Sequence, residues 1–285
     1  GVVTVPVTTW PLMWSGISRD LANADRFDLT AAQASSLAYV QFAATRDTSN
    51  DLRLDWKTAA RNTKPVFTNF ADSQREQVES QFTADWVGGT FAGRAAVTWV
   101  ADPLDGKQLR YDGSYMAGVI GNWAISAGAI DRWWGPGWQQ STILSTNARP
   151  VPGISIQRNY SDAFKTPWLS WIGPWQLVSF MGEMENAQTI EKPLLWGLRI
   201  TFKPLRSLEI GLSRTAQWGG KGRPKDFGTF VDLLEGKDNS GTDGIDADNE
   251  PGNQLAGFDW RFSFANDFGF YGQLTGEDEA GMAPS

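Results

Sequence analysis

The residue types that could do chemistry concentrate in one turn that is rich in tryptophan. Residues 131–138 read Asp-Arg-Trp-Trp-Gly-Pro-Gly-Trp, in which glycine and proline favour a tight turn. Aromatic rings can stack on the C–H faces of a sugar, while carboxylate and guanidinium groups can hydrogen-bond its hydroxyls. A structural corner or an interfacial aromatic belt would use the same tryptophans, and that interpretation stays open. The candidate polysaccharide-binding residues of this turn are Asp131, Arg132, Trp133, Trp134 and Trp138.

A second candidate lies next to the glycine-rich turn at residues 219–222, which Arg214 and Trp218 precede. These two residues are added to the candidate sugar-binding set, although ordinary loop geometry is the favoured interpretation of the segment. The turn lacks the GxxxxGK(S/T) spacing that a phosphate-binding loop requires. We therefore predict no nucleotide site here.

Carboxylates are numerous enough to raise the question of glycoside hydrolysis, which needs two of them about 5 or 9 Å apart. The sequence shows no such pairing. It places carboxylates and arginines together on the polar faces of alternating segments, and such a set usually forms a salt-bridged interior. We therefore predict no catalytic residue and a polar network inside the fold. Its members are Arg149, Glu183, Arg199, Asp259, Arg261, Glu277, Asp278 and Glu279.

Two absent residue types exclude several classes of protein. The chain has no Cys and no His, which removes disulfides, thiol nucleophiles, Ser-His-Asp triads and imidazole metal sites. The acidic segment 238–250 could ligate Ca²⁺ through oxygens, but Pro251 stands where an EF-hand loop opening at Asp246 needs glycine. We predict no metal and no cofactor. The net charge of −7 argues against nucleic acid as a partner.

The elements that position these residues are β-strands, because apolar and polar residues alternate from about residue 65 onward. The clearest segments are 176–184, 194–202, 208–213 and 254–264. Their polar faces carry charges in mid-strand, as at Arg199 and Asp259. A soluble sandwich turns such a face to water, whereas a membrane barrel turns it into its lumen. Long strands and bulky aromatic residues near strand ends, such as Trp196, Trp260, Phe268 and Phe270, favour an all-β transmembrane antiparallel β-barrel, with a soluble sandwich as the alternative.

The uncharged stretch 113–130 has nearly the length of a membrane-spanning helix. It contains four glycines, each of which costs about 1 kcal/mol relative to alanine in a helix. The Gly121-Asn122 pair predicts a turn between two strands instead.

The first sixty residues differ from the rest of the chain. An alanine-rich stretch predicts a helix over about residues 30–45, with Thr30 as its N-cap and Gln33 completing a partial capping box. We divide the chain into an N-terminal helical or plug segment, residues 1–60, and a β-barrel portion, residues 61–285. Nine or ten strand-like segments and a polar end predict a barrel that is not closed within this sequence.

Several spaced motifs together resemble the Wzi family of capsule assembly proteins. They include the 131–153 segment, Leu-Ser-Trp-Ile-Gly-Pro-Trp at 169–175, Leu-Ser-Arg-Thr-Ala-Gln-Trp-Gly-Gly at 212–220 and the 249–260 segment. The resemblance covers about residues 65–281. It implies an eighteen-stranded barrel in the outer membrane of a Gram-negative bacterium, with a helical plug on the periplasmic side. It also implies a lectin that anchors capsular or other surface polysaccharide, with outer-membrane lipid around it and no enzymatic activity. A porin or a carbohydrate-degrading barrel is the alternative function.

Overall fold

A computed structural model describes residues 2–24, 28–72, 74–103, 105–185, 190–235, 252–264 and 268–277. Strands dominate this part of the chain, and three α-helices accompany them. In chain order the elements are β1 (Thr9–Trp10), α1 (Trp14–Leu21), α2 (Ala31–Asp47), β2 (Arg53–Ala60), β3 (Val78–Val87), β4 (Phe91–Ala101), β5 (Leu109–Arg110), β6 (Tyr115–Ile120), β7 (Trp123–Gly128), β8 (Trp133–Trp134), β9 (Gly153–Arg158), β10 (Trp175–Glu183), β11 (Leu194–Leu205), β12 (Leu208–Trp218), α3 (Phe227–Leu234), β13 (Gly252–Phe264) and β14 (Phe268–Glu277).

One large antiparallel sheet contains twelve of the strands. Its order is β14-β13-β12-β11-β10-β9-β7-β6-β4-β3-β2, and the short β5 pairs with β4 beside this path. Strands that follow one another in the chain are neighbours almost throughout, which is the up-and-down arrangement typical of barrels. The all-β prediction is confirmed. Within the described residues the sheet is open between β14 and β2.

In this sheet the polar face is buried and the apolar face is exposed, which is the reverse of a water-soluble fold. Arg199 and Asp259 are buried on one face, which we call the inner face. On the opposite, outer face the side chains of Leu212 and Phe258 are 46% and 40% exposed. A soluble sandwich would bury those apolar side chains, whereas a membrane barrel presents them to lipid. The faces are therefore those of a membrane barrel.

Other large apolar side chains of the outer face are exposed in the same way along the whole sheet. Exposing so wide an apolar surface to water would cost much free energy, and monomeric soluble proteins rarely expose extended apolar patches. In a bilayer the same side chains contact hydrocarbon. Examples on six strands are Trp56, Phe82, Trp99, Met116, Ile125 and Leu274.

The two ends of the sheet have connections of different length. At one end, the short-turn end, hairpins at residues 88–90, 121–122 and 206–207 join neighbouring strands, although 159–174 is longer. At the other, the long-loop end, residues 129–152 and 219–251 connect strands. Gly121 has a positive φ of 59°, so the turn that its sequence predicted uses the conformational freedom of glycine.

Segment 113–130 forms two strands rather than one helix. β6 and β7 pair in register from Tyr115 opposite Gly128 to Ile120 opposite Trp123, on either side of the predicted turn. Among the described residues, no helix has the length and hydropathy that crossing a membrane would require.

The N-terminal segment packs on the inner face and forms a small core of its own. Val5, Ile17, Leu21 and Ala44 are its buried apolar residues, contributed by the first strand region and by α1 and α2. The predicted helix over 30–45 is confirmed as α2. Its capping box is complete, because Gln33 N–H donates to Thr30 Oγ1 at 3.4 Å and Thr30 N–H donates to Gln33 Oε1 at 3.0 Å.

Several elements of the structure were not predicted from the sequence. They are the helices α1 and α3, the short strands β1 and β8, and the wall strands β2 and β9, of which β2 lies in the sheet although its residues fall within the range 1–60. α3 packs against the outer face, where Phe230 and Leu233 bury Trp218. It also covers Trp196, whose ring lies 5.6 Å from that of Phe230, so this tryptophan contacts protein at the place where the sequence suggested an aromatic girdle.

Candidate functional site

The tryptophan-rich turn lies inside the curved sheet rather than on its surface. Its strand β8 leaves the large sheet and pairs with β1, so that Trp134 is opposite Thr9 and Trp133 is opposite Trp10. Both β8 tryptophans are only 2% exposed. Trp133 Nε1 donates to the carbonyl of Gly137 at 2.9 Å, which closes the glycine–proline turn. Trp133 and Trp134 therefore hold the segment in place and do not present a free ring.

Trp138 presents the turn's one accessible tryptophan ring. Its side chain is 46% exposed, and its ring centre lies 4.7 Å from that of Phe70 in an edge arrangement. The guanidinium of Arg261, on the inner face of β13, lies 5.5 Å from the Trp138 ring centre. A cation and an aromatic edge thus fix the ring while part of its face stays accessible.

Arg132 is buried, and no carboxylate in the described part of the chain forms an ion pair with it. It is 8% exposed, and one of its N–H groups donates to the carbonyl of Ile130 at 2.9 Å. Its guanidinium carbon lies 4.1 Å from the ring centre of Phe180. The adjacent carboxylate of Asp131 pairs instead with Arg75, at 2.5 Å. Burial lowers the pKa of Arg132 to about 10, because a charged guanidinium loses solvation there.

A cavity of about 380 Å³ opens beside Arg132, between the N-terminal segment and the inner face of β4, β6, β7 and β9. We call it the lumenal cavity. Its lining includes the ring of Trp14 at the start of α1 and polar groups of the inner face. These polar residues include Arg94, Tyr115, Ser126, Asp131, Arg132 and Gln157.

Two members of the predicted polar network, Arg199 and Asp259, form an ion pair at the centre of a buried network that holds the N-terminal segment. Arg199 donates to both carboxylate oxygens of Asp259, at 2.5 and 3.0 Å. It also donates to Thr9 Oγ1 at 2.8 Å and to the Thr8 carbonyl at 3.2 Å. Glu209, two strand positions away from Gly211, accepts from the backbone N–H groups of Val7 and Thr8 at 2.9 and 2.8 Å.

Arg149 belongs to a separate cluster at the long-loop end. It donates to both oxygens of Asp112, at 2.9 and 2.8 Å, and lies 3.2 Å from Asp105. The hydrogen bonds to Asp112 are the largest cause of a raised pKa for Arg149. This bidentate geometry joins the 102–114 segment to the end of the 129–152 loop.

The remaining predicted residues do not converge on these sites. Glu183 ends β10 on the outer face, 3.6 Å from Lys192, and Glu277 is exposed at the end of β14, where it accepts from Asn253. Arg214 lies on the outer face and donates to Gln254 and to the Leu234 carbonyl, while Trp218 is buried under α3. Asp278 and Glu279 lie outside the described residues.

Sequence reasoning missed several residues of the candidate site and of the network around it. Glu209, Arg75, Trp14 and Tyr115 were not singled out as candidates. Their roles arise from contacts across 56 to 202 residues of chain, as between Arg75 and Asp131 or Glu209 and Val7. The available signal was the alternation that put Glu209 and Tyr115 on inner faces.

In the part of the chain that the structure describes, no group of three or more acidic side chains is arranged to hold a metal ion. The acidic segment 238–250, for which Ca²⁺ was considered, lies outside the described residues.

Known proteins share this fold and sequence. A curated protein of Klebsiella pneumoniae, described as an uncharacterized 55.8 kDa protein in the cps region, is 34% identical over 300 residues, which cover 100% of this chain and 56% of that protein. A solved structure described as Wzi, an outer-membrane protein involved in group 1 capsule assembly in Escherichia coli and a carbohydrate-binding β-barrel, matches with a TM-score of 0.82 at 30% identity.

That second match covers 100% of this chain and 61% of the solved one, so the chain spans little more than half the length of the proteins it matches. The match confirms the predicted barrel class. The family model for the capsule assembly protein Wzi matches residues 49–285. The chain therefore belongs to the Wzi family of capsule assembly proteins.

Proposed function

We propose that this protein is a lectin of the bacterial outer membrane that binds and anchors capsular or other surface polysaccharide at the cell surface. The observation that carries the proposal is the likeness over the whole chain to a carbohydrate-binding barrel. The polarity of the two sheet faces supports it, because the outer face suits lipid and the inner face suits a hydrated lumen.

The lengths of the connections support an orientation for the protein. Outer-membrane barrels have short periplasmic turns and longer extracellular loops. We therefore propose that the short-turn end faces the periplasm and the long-loop end faces the cell exterior. Arg19 of α1 pairs with Asp162 at 2.6 Å in the 159–174 connection, so the helical segment is attached at the proposed periplasmic end.

The division of the chain into residues 1–60 and 61–285 becomes a proposal about roles. Residues of the N-terminal part act as a plug, because their small core and the bonds to Arg199 and Glu209 hold them inside the sheet. The rest supplies the wall, to which β2 adds one strand from the N-terminal part. A plugged barrel retains a ligand by contact and does not conduct it.

The proposed sugar contacts come from the turn at residues 131–138 and from the lumenal cavity. Trp138 offers a partly exposed ring, Arg132 offers N–H donors that have no partner among the described residues, and Asp131 lines the same cavity as Arg132. Trp133 and Trp134 position these groups. Many weak contacts of this kind give retention of a long polymer through multivalency, even where each sugar unit binds weakly.

We expect Trp138→Ala to weaken binding of capsular polysaccharide by about 1 kcal/mol, or roughly fivefold in Kd, because it removes one aromatic stacking surface. Retention on immobilised polysaccharide by the detergent-solubilised full-length protein measures this. Trp168→Ala is the matched control, since Trp168 is also exposed but lies in the 159–174 connection. An unchanged Kd for Trp138→Ala would remove this ring from the binding surface.

The protein is proposed to be non-enzymatic. Acidic residues near the turn are engaged in ion pairs, with Asp131 on Arg75 and Asp259 on Arg199, which disfavours a free acid and a free nucleophile. We expect no new reducing ends when the protein is incubated with capsular polysaccharide. Time-dependent release of reducing ends, lost on substitution of a carboxylate, would contradict the proposal and favour a carbohydrate-degrading barrel.

A further inference from the structure

The lumenal cavity contains a buried guanidinium, that of Arg132, with which no carboxylate of the described residues forms an ion pair. Arg132 is only 8% exposed. Its one hydrogen bond is to the Ile130 carbonyl, and its other N–H groups have no partner among the described residues. A buried charge without an ion-pairing partner carries a large desolvation cost, which an anion bound at the guanidinium would offset.

We propose that the lumenal cavity binds an anionic sugar unit, with Arg132 as the residue that pairs with its carboxylate or phosphate group. This inference rests on the proposed lectin function and deepens it by assigning the chemical class of the bound sugar. The planar fork of a guanidinium matches both anions in two-pronged geometry, so they share the recognition chemistry.

The rest of the cavity suits a pyranose ring. Trp14 and Tyr115 line it with aromatic surface. Ser126 shares a hydrogen bond with Ser155 at 2.7 Å, and Gln157 Nε2 donates to the Pro11 carbonyl at 2.9 Å. The oxygen atoms of the Ser126 and Gln157 side chains would therefore act as acceptors for sugar hydroxyls. Its volume of about 380 Å³ falls within the range of small-molecule sites. A site with aromatic surface, several neutral polar groups and one cation is what an acidic monosaccharide unit requires.

Nearby carboxylates do not oppose an anion, because each has its own cation. Asp131 lines the cavity but pairs with Arg75, and Arg94, which also lines it, pairs with Asp85. These pairs are close to electrically neutral. Arg132 is therefore left as the uncompensated charge among the described ionised groups of this lining.

Selectivity of the unmodified protein is the first test, since it needs no variant to fold. Binding of glucuronic acid, glucose 6-phosphate and glucose to the full-length protein in detergent is measured by calorimetry. We expect one or both anions to bind about 10- to 100-fold more tightly than glucose, the range for a hydrogen bond to a charged group. The preferred anion identifies carboxylate or phosphate. Equal affinity for all three, or no binding of either anion, would overturn the inference.

A variant assigns the selectivity to Arg132. Arg132→Gln should remove the preference for the anion while binding of neutral glucose stays unchanged. Arg158→Gln is the matched control, because Arg158 also lies over an aromatic ring, 3.9 Å from the centre of Trp175, and is outside the cavity. Persistence of the preference in folded Arg132→Gln would contradict the assignment.

Retention of polysaccharide separates failure of this inference from failure of the lectin proposal. An acidic capsular polysaccharide is compared with the same polymer after its carboxyl groups have been reduced to alcohols. Stronger retention of the native form supports the inference. Equal retention of both forms, together with no preference for glucose 6-phosphate, contradicts the inference and leaves the lectin proposal standing. Retention of neither form contradicts both.

Discussion

Replacing Arg199 with leucine should lower the free energy of unfolding by about 3–5 kcal/mol, because it leaves the buried carboxylate of Asp259 without its cation. The Arg199 side chain is fully buried and lies 2.5 Å from Asp259. The same change removes the hydrogen bonds from Arg199 to Thr8 and Thr9 and so loosens the N-terminal segment. Urea unfolding in detergent, followed by tryptophan fluorescence, measures the loss.

The double variant Arg199→Leu, Asp259→Leu separates the charge effect from lost packing. Removing both members of a buried ion pair often costs far less than removing one, so we expect the double variant to recover much of the stability. Arg206→Leu, in the exposed turn between β11 and β12, controls for the loss of an arginine. If Arg199→Leu unfolded at the same urea concentration as the unmodified protein, the buried network would contribute nothing measurable.

The sequence alone predicted that Arg199 and Asp259 lie on polar faces of their strands, but it could not predict that they contact each other. Alternation in segments 194–202 and 254–264 put Arg199 and Asp259 on polar faces. Their contact depends on the register of the intervening β12, where Ser213 is opposite Arg199 and Gly211 is opposite Asp259. A Cβ on Gly211 would lie 2.5 Å from the guanidinium and 2.6 Å from the carboxylate. The glycine thus makes room for the pair, a reason visible only in three dimensions.

The same limit applies to the tryptophan turn. Its composition predicted aromatic contacts, but three tryptophans in one turn look equivalent in a sequence. The pairing of β8 with β1 buries Trp133 and Trp134 and leaves Trp138 accessible. That pairing joins residues more than a hundred positions apart, so local spacing carries no signal for it.

The hardest feature to predict was which face of the sheet a side chain near the end of a strand occupies. Arg214 and Trp218 were grouped with sugar-binding residues because a glycine-rich turn follows them, yet their positions in β12 put them on the outer face. There α3 covers Trp218, and the carbonyl of Leu234, at the end of that helix, accepts from Arg214. α3 itself escaped prediction because it is eight residues long and follows a segment rich in glycine and lysine. A short helix of this kind depends on packing more than on its own propensity.

Replacing Glu209 with glutamine should release the first residues of the chain from the inner face. The carboxylate accepts from the N–H groups of Val7 and Thr8 and from the Thr8 hydroxyl, the last at 2.6 Å. An amide keeps only one accepting oxygen and turns an NH₂ donor toward the remaining donors. Hydrogen bonds to a charged group contribute about 1.5–3 kcal/mol each, so we expect a loss of about 3 kcal/mol locally and roughly hundredfold faster amide exchange at Val7 and Thr8.

Hydrogen–deuterium exchange of the peptide that covers residues 2–10 measures this release. Glu277→Gln is the control, because that exposed carboxylate accepts from Asn253 at the end of the sheet and touches no part of the N-terminal segment. We expect faster exchange only in the Glu209 variant, with the exchange of β11 and β12 unchanged. That result would show that the Glu209 carboxylate helps to hold the plug and is not needed for the stability of the sheet. Equal exchange in both variants would mean that the remaining contacts hold the plug without Glu209, namely the Arg199 hydrogen bonds, the pairing of β1 with β8 and the small core around Val5. The distinction matters for the lectin proposal, because Trp14 lines the lumenal cavity and belongs to the segment that Glu209 would help to hold.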